Sequence, residues 1–73
     1  MKLSRREKDV LTLVACGLAD KQIAKKFKIS IRTVQKHVYS AMLKLKASSR
    51  VHAVVLYMHH NPKWKINKRN ISL

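Results

Sequence analysis

The chain has 73 residues, which limits it to one small domain that buries only about 60% of the surface its unfolded chain exposes. Seventeen lysines and arginines against three acids give a formal net charge of +14. Such an excess favours a negatively charged partner, with nucleic acid the leading candidate and an anionic membrane surface the second. A single cysteine excludes an intrachain disulfide.

No apolar run is long enough for a signal peptide or a membrane span, so we expect a cytoplasmic protein. Because the chain begins with a methionine, we also expect it to be complete, without a separate sensor domain.

The first predicted helix covers residues 5–16. Ser4 and Glu7 match a capping box, in which the hydroxyl accepts from the third helical amide and the carboxylate accepts from the cap amide. Gly17, the only glycine, predicts the end of the helix because it adopts a left-handed conformation without a Cβ penalty. Between these signals, apolar residues recur at helical spacing: Val10, Leu11 and Val14.

A short second helix begins near Asp20, its expected N-cap, and has one apolar face formed by Ile23, Ala24 and Phe27. Lys28 and Ile29 form a turn, and Ser30 is the N-cap of a third helix over residues 31–45, which Lys46 can extend. Five apolar side chains of this helix fall within an arc of roughly 100°: Val34, Val38, Ala41, Met42 and Leu45. The opposite face carries Arg32, Lys36, Tyr39 and Leu43.

The fourth predicted helix covers residues 50–60 and is apolar over much of its circumference. Its expected inner stripe consists of Val51, Val54, Val55 and Met58, while Ala53, Leu56 and Tyr57 lie toward other faces. Asn61-Pro62 ends it, because a residue before proline avoids the helical region. We therefore expect one domain over residues 1–61 and a mobile basic tail over 62–73, with Trp64 either folded back onto the bundle or free.

These elements predict an all-α, four-helix bundle with a helix-turn-helix at its centre, an arrangement that can place its second helix in the major groove of DNA. An amphipathic helix with an ordinary solvated face is the plain alternative. Here, however, the outward face of the third helix has no acid, and Lys21, Lys25 and Lys26 lie on the helix before it. DNA binding is the better interpretation, although charge alone does not separate specific from non-specific binding.

An ordered series of residues runs through the predicted helices: Leu3-Ser4, Arg6-Glu7, Val10-Leu11, Gly17, Ile23-Ala24, Ile29-Ser30, Thr33-Val34, His37, Lys44-Leu45, Arg50 and Ala53-Val54. This series, over residues 3–58, resembles the LuxR/GerE-type helix-turn-helix domain, and in particular its stand-alone GerE-like members. The resemblance implies a bacterial or phage-encoded transcription regulator. It further implies that the third helix enters the major groove of double-stranded DNA and that the fourth forms a homodimer.

Carried onto this sequence, the base-reading positions of the family fall on Gln35, Lys36 and Tyr39. Gln35 stands where the family commonly has lysine; glutamine pairs with adenine, whereas lysine prefers guanine. The expected contacts to the DNA backbone are Lys21, Gln22, Lys25, Ser30, Arg32, Thr33, His37 and Lys44. The expected dimer contacts are Ala53, Leu56 and Tyr57.

The sequence has no nucleophile with an activating base, no glycine-rich phosphate loop and no paired carboxylates in its basic part, so we expect neither enzymatic activity nor a cofactor. His52, His59 and His60 lack the further ligands of a metal site, and Cys16 is expected to be a partly buried filler. Three alternatives remain at this point. They are a sigma-factor region-four-like domain, a module that pairs with a longer regulator or with RNA polymerase, and a cationic membrane-active peptide.

Overall fold

The computed structural model describes residues 2–64. Within this range the chain forms four helices and no strand: α1 (Arg5–Ala15), α2 (Asp20–Phe27), α3 (Ile31–Leu45) and α4 (Arg50–His60). The all-α prediction is confirmed. None of the described helices is long and apolar enough to cross a membrane. The predicted mobile tail lies, beyond residue 64, outside the described residues.

Serine caps begin three of the helices. The Glu7 amide donates to Ser4 Oγ at 3.2 Å and the Ser4 amide donates to Glu7 Oε1 at 2.8 Å, so the predicted capping box is present. Ser30 and Ser49 accept in the same way from the amides of Thr33 and His52, each at 3.0 Å.

The start of α2 differs from the prediction. Ala19, not Asp20, is the N-cap, and the Ala19 amide donates to Gln22 Oε1 at 2.8 Å. A glutamine three residues into the helix thus supplies half of a capping box, which leaves the Asp20 carboxylate available for another partner.

Helices α1, α2 and α3 end in the same hydrogen-bond pattern, a Schellman motif with one left-handed residue. At α1 the Leu18 amide donates to the Leu13 carbonyl at 3.1 Å, and Gly17 has φ +89° as expected. Lys28 and Lys46 take the equivalent place after α2 and α3, with φ +56° and +58°. Lys46 therefore ends α3 instead of extending it.

Helix α3 lies between two apolar clusters. Its Val34 and Val38 pack in the first cluster, with buried residues of α1 and α2: Val10, Leu13, Ile23 and Ala24. Its Ala41 packs in the second, with Leu3, Leu11 and two residues of α4, Ala53 and Tyr57. Because α3 is held along one side over its length, its other side is fixed in an outward orientation.

The predicted inner face of α4 is wrong at three of its four residues; only Val54 packs against the second cluster. Ala53 and Tyr57 are buried in the bundle, whereas Val51, Val55 and Met58 are exposed. The small side chain of Ala53 allows α4 to pack closely on its neighbours, and Tyr57 fills the space one turn later. Consequently Ala53 and Tyr57 are not surface residues and cannot form the expected dimer contact, and Leu56 is only half-buried.

Trp64 folds back onto the bundle, the first of the two alternatives considered. Its ring meets the Tyr57 ring edge-on at a centroid distance of 4.7 Å, and its Nε1 donates to Thr12 Oγ1 at 3.0 Å. The packed unit thus extends at least to residue 64, three residues beyond the expected boundary at 61.

Candidate nucleic-acid interface

The outward face of α3 carries the three residues expected to read bases. Gln35, Lys36 and Tyr39 are exposed, and together with Ile31 and Arg32 they line one shallow depression on this face. Tyr39 is 62% exposed, although a tyrosine of a monomeric bundle commonly turns at least its ring inward. The buried side chains of α3 fix this orientation from behind, so the predicted placement of Lys36 and Tyr39 is confirmed.

The start of α2 and the turn before α3 lie beside this face in sequence and pack against the same core. Lys21, Gln22 and Lys25 are exposed. The side-chain carbonyl oxygen of Gln22 already accepts a hydrogen bond from the Ala19 amide. Ser30 caps α3 and its hydroxyl lies 2.8 Å from that of Thr33. The remaining expected backbone contacts on α3 differ in exposure: Arg32 is exposed, and His37 is half-buried.

Asp20 connects α2 to the start of α4. Its two carboxylate oxygens accept from the Arg50 guanidinium at 2.6 and 3.1 Å, a bidentate pair. The Arg50 bonds lower the pKa of Asp20 against the effect of burial, and the nearby Gln35 side chain lowers it slightly further.

Glu7 connects α1 to the last turns of α3. Besides its bond with the Ser4 amide, its carboxylate accepts from Ser40 Oγ at 2.5 Å and from Lys44 Nζ at 2.7 Å. Burial opposes the ionisation of Glu7, but the bonds from Lys44, Ser40 and Ser4 outweigh it and lower its pKa to about 2.

The Glu7 network corrects one expected DNA contact. The ammonium group of Lys44 is held against α1 by a carboxylate whose side chain is only 8% exposed. It is therefore a structural cation rather than one extended toward a phosphate.

The sequence alone shows neither of these acid networks, because their partners are 30 to 37 residues apart. The sequence contains one weak sign of these networks. Two of its three acids, Glu7 and Asp20, stand at the starts of predicted helices in a chain with an excess of cations. Burial raises the pKa of the Cys16 thiol, as expected for a filler. No group of histidine, cysteine, aspartate and glutamate side chains within residues 2–64 could hold a metal ion.

The short helix α2, the turn at Lys28 and the outward-facing α3 define a helix-turn-helix domain. Residues 1–57 match the family described as "Bacterial regulatory proteins, luxR family", also named GerE. The chain belongs to this family, as its sequence motifs indicated. Membership in a family of regulatory proteins also agrees with the prediction that the chain is not an enzyme.

Several curated relatives share this domain. The chain is 40% identical over 67 residues to an uncharacterized transcriptional regulatory protein, YhcZ, of Bacillus subtilis, which covers 92% of this chain and 31% of that protein. It is 44% identical over 59 residues to a nitrate/nitrite response regulator homologue of Haemophilus influenzae. It is 37% identical over 59 residues to the response regulator VraR of Staphylococcus aureus.

The two response-regulator matches each cover 81% of this chain but only 28% of the relative. The chain thus spans less than a third of the length of these relatives.

Proposed function

We propose that this chain is a sequence-specific DNA-binding transcription regulator that inserts α3 into the major groove of double-stranded DNA. The observation that carries the proposal is the outward face of α3, on which Arg32, Gln35 and Lys36 are exposed and no acid is present. A buried stripe fixes this helix so that the cationic face stands away from the bundle, as a helix that enters a groove requires. The relatives named as transcriptional or response regulators support the same function.

Two residues of this face have the chemistry to read bases. Lys36 can donate to O6 and N7 of guanine. The exposed Gln35 can offer an N–H and its carbonyl oxygen to a base edge, the pair of groups that adenine requires. We assign the exposed Lys21, Lys25 and Arg32 to contacts with phosphates. Such contacts set the register of a protein on DNA without reading sequence.

The test begins by selecting bound oligonucleotides from a random pool, which defines the operator. We expect Lys36→Ala to weaken operator binding by about 1–3 kcal/mol and to relax base preference at one position. The matched control is Lys25→Ala, which removes the same charge from α2. It should weaken binding to all sequences and reduce the slope of affinity against salt concentration by about one. Equal losses on operator and random DNA for Lys36→Ala would contradict a base-reading role.

We further propose that the chain binds DNA as a homodimer through α4. Val51, Val55 and Met58 are 69%, 56% and 45% exposed, and their spacing of four and three residues places them on one face of the helix. Such a stripe can pair with its own copy around a two-fold axis, so that two domains read half-sites about one helical turn apart. These residues replace Ala53 and Tyr57 in the proposed interface.

Val55→Asp tests the dimer, because it puts a charge into the centre of the proposed contact and leaves the core of the bundle untouched. We expect the variant to keep its helical circular dichroism, to sediment as a monomer and to bind the operator more weakly. A variant that remained dimeric in sedimentation would exclude this face of α4.

A further inference from the structure

Ile31, the first residue of α3, places an apolar side chain on the proposed DNA-binding surface. It is 44% exposed, and it lines the shallow depression on the outward face of α3 together with Gln35 and Lys36. At about 100° per residue, Gln35 lies about 40° around the helix from Ile31, so the two side chains are neighbours one turn apart. Ile31 therefore shares a surface with the residues expected to read bases.

The packing of α3 does not account for an isoleucine at this position. Ser30 caps the helix, and the apolar pair that commonly accompanies such a cap joins the residue before it to the fourth helical residue, here Ile29 and Val34. Both of these residues pack in the first apolar cluster. Ile31 belongs to neither of the two clusters that residues 2–64 form. The side chain of Ile31 is thus not needed to hold α3 in place.

Helix electrostatics favour a different residue type at this position. The N-terminus of a helix carries a partial positive charge, so an acid in the first turn stabilises the helix. The first turns of α1 and α2 contain such acids, Glu7 and Asp20, whereas the first turn of α3 contains none. An acid at position 31 would repel the phosphates of a bound duplex. An uncharged side chain here therefore suits a helix that enters the groove with its first turns.

The major groove offers an apolar partner for such a side chain, the C5-methyl group of thymine. Apolar side chains recognise this group by direct contact, whereas polar side chains recognise the donors and acceptors of the base edges. Recognition helices of this motif contact base edges with their N-terminal residues, and Ile31 is the first residue of α3. The position and the chemistry of Ile31 thus both match a thymine methyl group.

We propose that Ile31 is a specificity-determining residue that packs on the methyl group of a thymine in the operator. The inference rests on the proposed function, because it requires that α3 enters the major groove. Side chains one turn apart on a helix are separated by about 5–6 Å, and successive bases of a strand by about 3.4 Å. The thymine therefore lies within about two base pairs of the base that Gln35 reads. Gln35 and Lys36 act by hydrogen bonds, and Ile31 adds an apolar contact.

The test removes the methyl group from the DNA. Deoxyuridine differs from thymidine only in lacking this group, so it keeps the base pair and every donor and acceptor of the base edge. Each thymine of the selected operator is replaced in turn, and the affinity of the full chain is measured by fluorescence anisotropy. We expect one position in each half-site at which the replacement weakens binding about three- to five-fold, as for the loss of one buried methyl group.

Protein variants assign the contact to Ile31. Ile31→Ala should bind the thymine and deoxyuridine operators equally at that position, because the contact is lost in either case. Ile31→Val keeps a branched side chain and should retain most of the difference. Leu43→Ala removes another exposed apolar side chain of α3 and is the matched control, which should leave the difference unchanged. Circular dichroism checks the fold of each variant, and affinity for random DNA should be the same in all of them.

Failure of this inference is distinguishable from failure of the proposed function. A chain without preference for any selected sequence would contradict the proposed function, and the methyl contact with it. A chain that prefers its operator but tolerates deoxyuridine at every position would overturn the methyl contact alone. An equal deoxyuridine penalty in the natural chain and in Ile31→Ala would assign the methyl group to another residue. Equal losses on operator and random DNA in Ile31→Ala would give Ile31 a structural role instead.

Discussion

The cations of α3 and α4 fall into two groups that differ in their surroundings. Lys44 and Arg50 are paired with acids of other helices, Glu7 and Asp20. Arg32 and Lys36, by contrast, are exposed on the outward face of α3, and neither has an ion pair with any carboxylate of the described residues. Lysine thus serves two purposes within α3, at Lys36 and Lys44, which are less than three turns apart.

The difference shows how a chain with so few acids uses them. Glu7 and Asp20 each join elements that are distant in sequence, and each is partly or fully withdrawn from solvent. Neither faces the proposed DNA-binding surface with a free carboxylate. Negative charge fastens the bundle, while the outward face of α3 remains positive, as a polyanion requires.

Among substitutions that test the difference between paired and unpaired cations, Glu7→Gln should have the largest effect on stability. The change removes the partner of Lys44 and weakens the bonds to Ser40 and Ser4, so we expect the free energy of unfolding to fall by about 3 kcal/mol. Urea unfolding followed by circular dichroism measures it. Asp9→Asn is the matched control, since it neutralises the neighbouring acid of α1 and should change stability by less than about 0.5 kcal/mol. Equal losses in the two variants would mean that Glu7 has no special role.

The pH dependence of stability follows from the same carboxylate. The pKa of Glu7 is lowered from 4.5 in the unfolded chain to about 2 in the folded one, so ionised Glu7 favours the folded state. This contribution, about 3 kcal/mol, is present above pH 4.5 and disappears as the pH falls toward 2. Unfolding curves of the natural chain and Glu7→Gln should therefore converge over that interval. A constant gap between them would contradict the assignment.

A smaller effect is expected at the second acid. Asp20→Asn breaks the bidentate pair with Arg50, which is partly exposed, and should lower stability by about 1 kcal/mol. Urea unfolding followed by circular dichroism measures the loss. Arg50→Lys serves as the control, because it keeps the charge opposite Asp20 and loses only the bidentate geometry, so it should cost less stability. A larger loss in Arg50→Lys than in Asp20→Asn would contradict the assignment.

The smallest effect on stability is expected from substitution of the exposed cations of α3, Arg32 and Lys36. Lys36→Ala and Arg32→Ala remove exposed cations that have no partner acid among residues 2–64, so the free energy of unfolding should change by no more than about 0.5 kcal/mol. Thermal unfolding in the absence of DNA measures this. A loss above 1 kcal/mol would show that these side chains hold the bundle together, and the contrast with Lys44 and Arg50 would fail.

Local signals were sufficient to predict most of the fold. Serine caps, the glycine after α1 and the 3.6-residue period of α3 act over a few residues, and each is legible in sequence. The outward placement of Lys36 and Tyr39 follows directly from the buried stripe of α3. Their contact with bases remains a prediction.

What sequence did not predict depends on tertiary contacts. Helix α4 is apolar on several sides, so the spacing of its apolar residues does not identify one inner face. Valine is more hydrophobic than alanine, which favoured the valines as the buried residues. In the structure Ala53 is buried instead, because it fits where a larger side chain would separate the helices. The pairing of Glu7 with Lys44 likewise joins residues that only the folded bundle brings together.

Lys28 and Lys46 hold the left-handed backbone positions after α2 and α3, where a residue with a Cβ is disfavoured by about 1–2 kcal/mol. The thermal stability of the domain is therefore lowered by the backbone conformation at two helix ends. Glycine at either site would relieve the steric conflict, and in a domain of this size each kilocalorie recovered raises the melting temperature by about 4–8 °C. Two substitutions, Lys28→Gly and Lys46→Gly, would thus give a form of the protein that is more stable to heat.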